Sequence, residues 1–207
     1  MKIGVLALQG AFVEHISVLK RLGVEGVAVR LPGELNGLDG LIIPGGESTT
    51  IATMMELFNL REPLTRLATD SFPVFGTCAG MILLARKAPT LPVAPLGAID
   101  LEVRRNAFGR QVDSFEIDLQ IPALGSRPFQ AVFIRAPYIE KVGAGVEVLA
   151  TLPGGQAVAA REGKIIVAAF HPELGKDHRF HRYFLEIVRG RDMELARDSC
   201  FAPANKR

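Results

Sequence analysis

The chain has 207 residues, a length that fits one domain or one domain carrying an insertion. Hydrophobic residues make up 48% and charged residues 22%, which suits a real core under an ordinary soluble surface. The net charge of +2 removes any bulk electrostatic case for nucleic acid or a membrane surface, and no apolar run approaches the roughly 18 residues of a membrane span.

The start, Met1-Lys2-Ile3-Gly4-Val5-Leu6-Ala7-Leu8, has the look of a signal peptide. Gln9-Gly10 and then Glu14-His15 interrupt it before an apolar core is complete, so it reads as a buried first strand over 2–8. Phe12, Ile16 and Leu19 then recur at helical spacing until Gly23 stops them. Val24 to Leu31 reads as a second strand. Asp39 to Ile43 reads as a third, closed by Pro44-Gly45-Gly46. Ser48 or Thr49 is placed to cap a helix through Met54, Met55 and Leu57. Pro73 to Thr77 is a fourth strand, and Ala79 to Lys87 the helix after it. Strands alternating with helices predict an α/β, doubly wound, mostly parallel sheet with helices on both faces.

After residue 96 the pattern changes. Segments 98–105, 115–121, 129–134, 146–151, 156–161 and 164–170 all read as strands, and Glu162-Gly163-Lys164 predicts a hairpin between the last two. This C-terminal half is expected to add antiparallel strands to one edge of the sheet. A last helix over about 178–190 carries Phe180, Phe184, Ile187 and Val188 on one face. Residues 1–190 therefore read as one domain and 191–207 as a polar tail. The two cysteines, Cys78 and Cys200, make a poor disulfide framework and point to a reducing cytoplasm.

Three short stretches carry chemistry. In Gly76-Thr77-Cys78-Ala79-Gly80 a thiol sits between an apolar strand and a helix, where a tight turn lifts it out of the backbone. The adjoining helix N-terminus favours a thiolate and offers the Ala79 N–H to an oxyanion. A buried structural cysteine is the plain alternative. A nucleophilic thiol needs a base, and there are four histidines. His15 reads as solvated or capping, and His178 and His181 as surface residues. His171 ends an apolar strand and opens His171-Pro172-Glu173. Residues two apart in extended backbone point to one side, so Glu173 can orient His171 as the third member of a triad. A capping or core histidine is the alternative there. The spacing of His171, Glu173, His178 and His181 matches no standard zinc motif. The third stretch, Pro44-Gly45-Gly46-Glu47-Ser48-Thr49-Thr50, has adjacent glycines that let backbone approach a ligand. It lacks the Gly-Lys-Ser/Thr ending of a phosphate loop, so a plain turn competes with a second oxyanion donor.

In these three elements, in the chain order Pro44 to Ser48, Gly76 to Gly80 and His171 to Glu173, the sequence resembles the class I glutamine amidotransferases. Within them it is most similar to glutaminase subunits of pyridoxal 5′-phosphate synthases. That likeness rests on Leu8-Gln9-Gly10, Pro44 to Thr50, Arg105 to Phe115, Val132 to Pro137 and Phe170 to Leu174. The resemblance covers residues 2 to about 188. It implies hydrolysis of L-glutamine by Cys78, His171 and Glu173, with the ammonia passed to a synthase partner. It further implies that Gly46, Glu47, Ser48, Arg105, Ile134 and Arg135 contact glutamine, and that Gly46 and Ala79 supply the oxyanion hole. Arg105 and Arg135 suit this physically, because a guanidinium fork matches an α-carboxylate; surface arginine is the plain alternative. No metal or redox cofactor is required, and neither nucleic acid nor membrane is expected as a partner. Two other readings remain: a glutaminase serving a different biosynthetic enzyme, and a non-catalytic or redox-sensing α/β protein with a reactive elbow cysteine. The paired His-Pro-Glu argues against the second.

Overall fold

A computed structural model of the chain describes residues 1–89, 91–105 and 114–190. The tail 191–207 with Cys200, and residues 106–113 of the Arg105–Phe115 stretch, lie outside the described residues. The first half alternates strand and helix as the patterning predicts: β1 (Lys2–Leu6), α1 (Phe12–Arg21), β2 (Glu25–Val29), β3 (Gly40–Ile43), α2 (Ser48–Leu57), α3 (Arg61–Thr69), β4 (Val74–Thr77) and α4 (Ala79–Leu84). Strands β5 (Ala85–Lys87), β6 (Ile99–Arg104), β7 (Ser114–Leu119), β8 (Phe129–Ile134), β9 (Tyr138–Val142), β10 (Glu147–Thr151), β11 (Ala157–Glu162) and β12 (Ile165–Ala168) follow, and α5 (Arg179–Val188) closes the chain.

The main sheet runs β2-β1-β3-β4-β12-β11-β9-β6-β5, with β10 paired to β11. Its centre is parallel: β2, β1, β3, β4 and β12 all point the same way. Strands β3, β4 and β12 are buried at every residue, as expected where both faces of a parallel sheet are covered. Phe75 and Gly76 show which helices cover which face. Phe75 packs on Phe180 and Phe184 of α5, at 5.4 and 5.6 Å between ring centroids, and on His15 of α1 at 6.1 Å. Each such aromatic pair contributes about 0.5–1.5 kcal/mol beyond its buried area. Gly76, its neighbour in β4, faces Leu84 and Gly80 of α4 on the opposite side.

Four expectations need correction. Residues 85–87 leave the helix after Leu84 and pair with β6, so long-range strand pairing overrides local helix propensity there. The α2 cap is Glu47, which stands outside the helix and accepts from Thr49 N at 3.1 Å and Thr50 N at 2.6 Å; Ser48 is the first helical residue. Two elements, α3 and β9, carried too weak a pattern to be read. The C-terminal strands do extend the sheet antiparallel through β11, β9 and β6, but β7 and β8 form a separate two-stranded sheet. Phe115 and Phe133 stack across that pair at 4.7 Å. Arg179 of α5 ties the pair down by donating to the carbonyls of Leu124, Arg127 and Pro128 just before β8. Among the described residues no helix is long and apolar enough to cross a membrane.

The start of α4 lies directly on β3. A Cβ on Gly80 would collide with the Ile43 carbonyl oxygen, which is backbone and cannot swing aside. Gly80→Ala should therefore cost about 1–3 kcal/mol, as overpacking does, and lower the thermal midpoint by several degrees. An unchanged midpoint would mean that α4 can slide off β3 freely.

Candidate active site

The C-terminal ends of β1, β3, β4 and β12 converge at one edge of the sheet, where sites form in doubly wound folds. Cys78 follows β4 there with φ 47° and ψ −101°, a left-handed conformation that a side-chain-bearing residue adopts only under constraint. The constraint is visible. Cys78 N–H donates to the Ala168 carbonyl of β12 at 2.7 Å, and its own carbonyl accepts from Ile82 N at 3.3 Å as α4 begins. The turn leaves the sulfur 4.0 Å from the Ile134 carbonyl of β8.

His171 follows β12, the strand that pairs in parallel with β4. Its N–H donates to Val132 O of β8 at 2.8 Å, and its Nδ1 lies 2.7 Å from Glu173 Oε1. Burial by itself lowers the pKa of His171. The hydrogen bonds to Cys78 and Glu173, with the charges on both, outweigh it and raise the value to about 10. His171 is thus an imidazolium at neutral pH, and an imidazolium stabilises an anionic sulfur beside it. Helix α4 begins at the same turn, with Ala79 as its first residue. Gly45 lines the other side of the ring: a Cβ there would strike His171 Cε1 and come within 3.3 Å of Cys78 Cβ.

The glycine loop after β3 is pinned from three directions. Gly45 N–H donates to Thr77 Oγ1 at 3.0 Å, Gly45 O accepts from Ala11 N at 3.0 Å, and Glu47 N–H donates to Gln9 Oε1 at 2.7 Å. Glu47 has its pKa lowered to about 2; modest burial opposes ionisation, but hydrogen bonds from Thr50 and Thr49 prevail. Arg105 reaches across to this loop, 3.0 Å from Glu47 Oε1 and 3.1 Å from Thr49 Oγ1. Ser48 is buried and its Oγ has no hydrogen-bond partner among the described residues. Ile134 and Arg135 enter from β8, with Arg135 exposed at φ 44°. Cys78, His171, Glu173, Gly46, Glu47, Ser48, Ala79, Arg105, Ile134 and Arg135 thus flank one sheet edge.

Two histidines contradict their sequence reading. His15 and His181 are fully buried, not solvated or on the surface. His15 Nδ1 lies 2.9 Å from His181 Nε2, and His15 Nε2 lies 3.2 Å from Thr77 Oγ1 and 3.4 Å from Glu173 Oε2. His178 is half-buried at the start of α5. The missed signal was periodicity. His15 shares the apolar stripe of Phe12, Ile16 and Leu19, and His181 that of Phe180, Phe184 and Val188. Gln9 and Thr77 likewise had been given no structural task at the site.

The sequence matches the SNO glutamine amidotransferase family over residues 5–189. The chain belongs to that family. Curated relatives include a pyridoxal 5′-phosphate synthase subunit PdxT of Pelotomaculum thermopropionicum, 60% identical over 90% of this chain and 94% of its own length. Another PdxT, from Corynebacterium jeikeium, is 55% identical over 94% of this chain and all of its own. A solved glutamine amidotransferase superposes with a TM-score of 0.85 at 49% identity, covering 90% of this chain and 98% of that one. PurLQS from Thermotoga maritima shares the fold alone, with a TM-score of 0.68 at 13% identity over 90% of this chain and 98% of that one. As a member of the amidotransferase family the chain is a glutamine-hydrolysing enzyme.

The raised pKa of His171 makes stability depend on pH. An ordinary histidine titrates near 6.5 in the unfolded chain, so the folded state gains from the retained proton fully below that pH. The gain is lost as pH rises from 6.5 to about 10. Urea unfolding of this amidotransferase at pH 6 and pH 10 should show a fall in stability that exceeds the fall in His171→Asn by at least about 1 kcal/mol. Equal falls in the two proteins would place the His171 proton elsewhere.

Proposed function

We propose that the chain is the glutaminase subunit of a pyridoxal 5′-phosphate synthase, working in the cytoplasm through residues 1–190 as one glutaminase domain. The observation that carries the chemistry is the contact series from Cys78 to the His171 imidazolium to Glu173, at the ends of the neighbouring strands β4 and β12. The partner follows from relatives named as synthase subunits across nearly the whole chain.

In this reading the Cys78 sulfur attacks the side-chain amide carbon of glutamine and forms a C–S bond. The carbonyl oxygen becomes an oxyanion, held by the N–H groups of Gly46 and Ala79. As the intermediate collapses the C–N bond breaks, and the nitrogen takes the His171 proton and leaves as ammonia. Neutral His171 then draws a proton from water. The hydroxide adds to the thioester, the C–S bond breaks, and glutamate departs as the sulfur and imidazolium are restored. Glu173 keeps the His171 ring in one tautomer and one orientation throughout. Glutamine lies between the Gly46–Ser48 loop and the end of β8. Ser48 Oγ offers it a hydrogen bond, and Arg135 and Arg105 offer guanidinium groups to its α-carboxylate. Arg105 already binds the ionised Glu47, so any carboxylate contact it makes is shared with the loop.

Ammonia made without an acceptor is wasted, which gives a reason for gating. The Gly45-Gly46 peptide is the place for a switch: glycine accepts either sign of φ, and turning the Gly46 N–H into or out of the oxyanion hole would exchange the bond from Ala11 N to Gly45 O. Loss of one such donor typically costs about 100- to 1000-fold in turnover.

The test is ammonia release from saturating glutamine, for the chain alone and with its synthase subunit. Cys78→Ala should release none and Cys200→Ala should match the wild type. His171→Asn should lose nearly all turnover, and Glu173→Gln a large but smaller share. Retained activity in Cys78→Ala sinks the mechanism. For gating, the expected result is a rise of about 100-fold or more on adding the synthase subunit. Full activity in the isolated chain removes the gating and leaves the triad standing.

A further inference from the structure

The buried His15–His181 pair has no part in the mechanism above, yet it lies directly behind Glu173. Two imidazoles buried on the core side of a parallel sheet are costly unless their hydrogen bonds are made. Burial foremost, then the His181 and His171 charges, hold the pKa of His15 well below its ordinary value. Burial and His178 hold His181 to about 3. Both rings are therefore neutral at physiological pH, and each carries one N–H. The groups facing His15 are His181 from α5, Thr77 from β4, Glu173 and His171 from beyond β12, and the edge of the Phe75 ring.

Only two proton arrangements fill the 2.9 Å contact between His15 Nδ1 and His181 Nε2. In one, His15 donates from Nδ1. Its Nε2 lone pair then points at the Glu173 carboxylate, and His181 Nδ1–H becomes a buried donor with no partner. In the other, His181 donates from Nε2. His15 then carries its proton on Nε2, aimed at Thr77 Oγ1 and Glu173 Oε2, and the unpartnered His181 Nδ1 is a bare acceptor. The first arrangement sets a lone pair against a carboxylate and leaves Oε2 with no donor. The second turns an N–H toward that oxygen, as a charge–dipole contact and not a hydrogen bond. At 3.4 Å the contact falls short of a hydrogen bond, and among the described residues Oε2 makes none, so the nearest N–H it can face is that of His15.

We propose that His15 is a positioning residue for glutamine hydrolysis: its Nε2–H, oriented by His181, steadies the Oε2 side of Glu173 and the Thr77 hydroxyl together. The proposal rests on the Cys78-His171-Glu173 reading. It adds a coupling that the triad alone lacks. Glu173 Oε1 is the atom that holds His171, so a carboxylate fixed at Oε2 presents Oε1 in one orientation. Thr77 Oγ1 is also the acceptor for Gly45 N–H, the amide preceding the proposed oxyanion loop. One buried imidazole therefore braces both the base side and the oxyanion side of the site without touching substrate. Outer partners of this kind typically change activity by about 10- to 100-fold when removed.

The test begins with the intact wild-type chain labelled with ¹⁵N-histidine, which has four imidazoles to assign. At pH 7 His15 should be neutral with its proton on Nε2, and His181 likewise. A proton on Nδ1 of His15, or a charged His15 ring, overturns the proposal whether or not any variant folds. His15→Leu and His15→Gln are then assayed for glutaminase with the synthase subunit present. His15→Leu should lower kcat by about 10- to 100-fold with KM within about threefold, and should bring the His171 titration midpoint down from about 10. His15→Gln, whose amide places an N–H where Nε2–H stood, should recover most of the rate. A folded His15→Leu with wild-type kcat and an unmoved His171 midpoint overturns the proposal. In that case Cys78→Ala and His171→Asn separate the two ideas: loss of turnover in both leaves the triad intact, and retained turnover in either means that the triad itself is wrong.

Discussion

The parallel pairing of β4 with β12 is the constraint from which the site follows. Thr77 stands opposite Ala168, and the next peptide, Cys78 N–H, closes onto the Ala168 carbonyl at 2.7 Å. That bond forces the chain to turn at Cys78 with positive φ, at a cost of about 1–3 kcal/mol that the surrounding packing must offset. The same pairing sets the end of β12 beside the elbow, so the chain leaving Ala168 brings His171 to the sulfur. Without the register, Cys78 and His171 would be two unrelated residues 93 positions apart in a chain of 207.

Everything else at the site braces that pair. The small β7–β8 sheet covers it from one side, with Val132 O accepting from His171 N and Ile134 O near the sulfur. The glycine loop closes the other side, where only a residue without Cβ fits against the imidazole. Glu47 uses its charge to cap α2 and to bind Arg105, which ties the loop, the helix and the end of β6 together. Behind the triad, the aromatic stack of Phe75, Phe180 and Phe184 holds α5 on the sheet and places His181 against His15. The electrostatic result is one cation, the His171 imidazolium, between a sulfur and a buried carboxylate.

Much of this could be read from sequence because the chemistry sits in short contiguous stretches at strand ends. Gly76 to Gly80 and His171-Pro172-Glu173 each carry their geometry locally, in glycines that permit an elbow and in a two-residue spacing that aligns two side chains. What escaped depended on distant partners. Residues 85–87 become a strand only because β6 lies beside them. Strands β7 and β8 alternate like sheet-edge strands, and nothing local says that they fold over the site instead of extending the edge. His15 and His181 sat on apolar helical stripes, but a lone polar residue on such a stripe reads as an interruption until its partner on another helix is known. Glu47 capped its helix from one residue earlier than Ser48 because its longer side chain can fold back onto two amides.

The central claim is that Cys78 forms a covalent bond with glutamine while the His171 imidazolium gives up its proton. Acid-quenched turnover in the presence of the synthase subunit, followed by peptide mass spectrometry, reads that bond directly. The account predicts a γ-glutamyl thioester on the peptide containing Cys78, none on the peptide containing Cys200, and accumulation of the adduct in His171→Asn should any acylation survive there. Steady ammonia release with Cys78 unmodified at every quench time would contradict it.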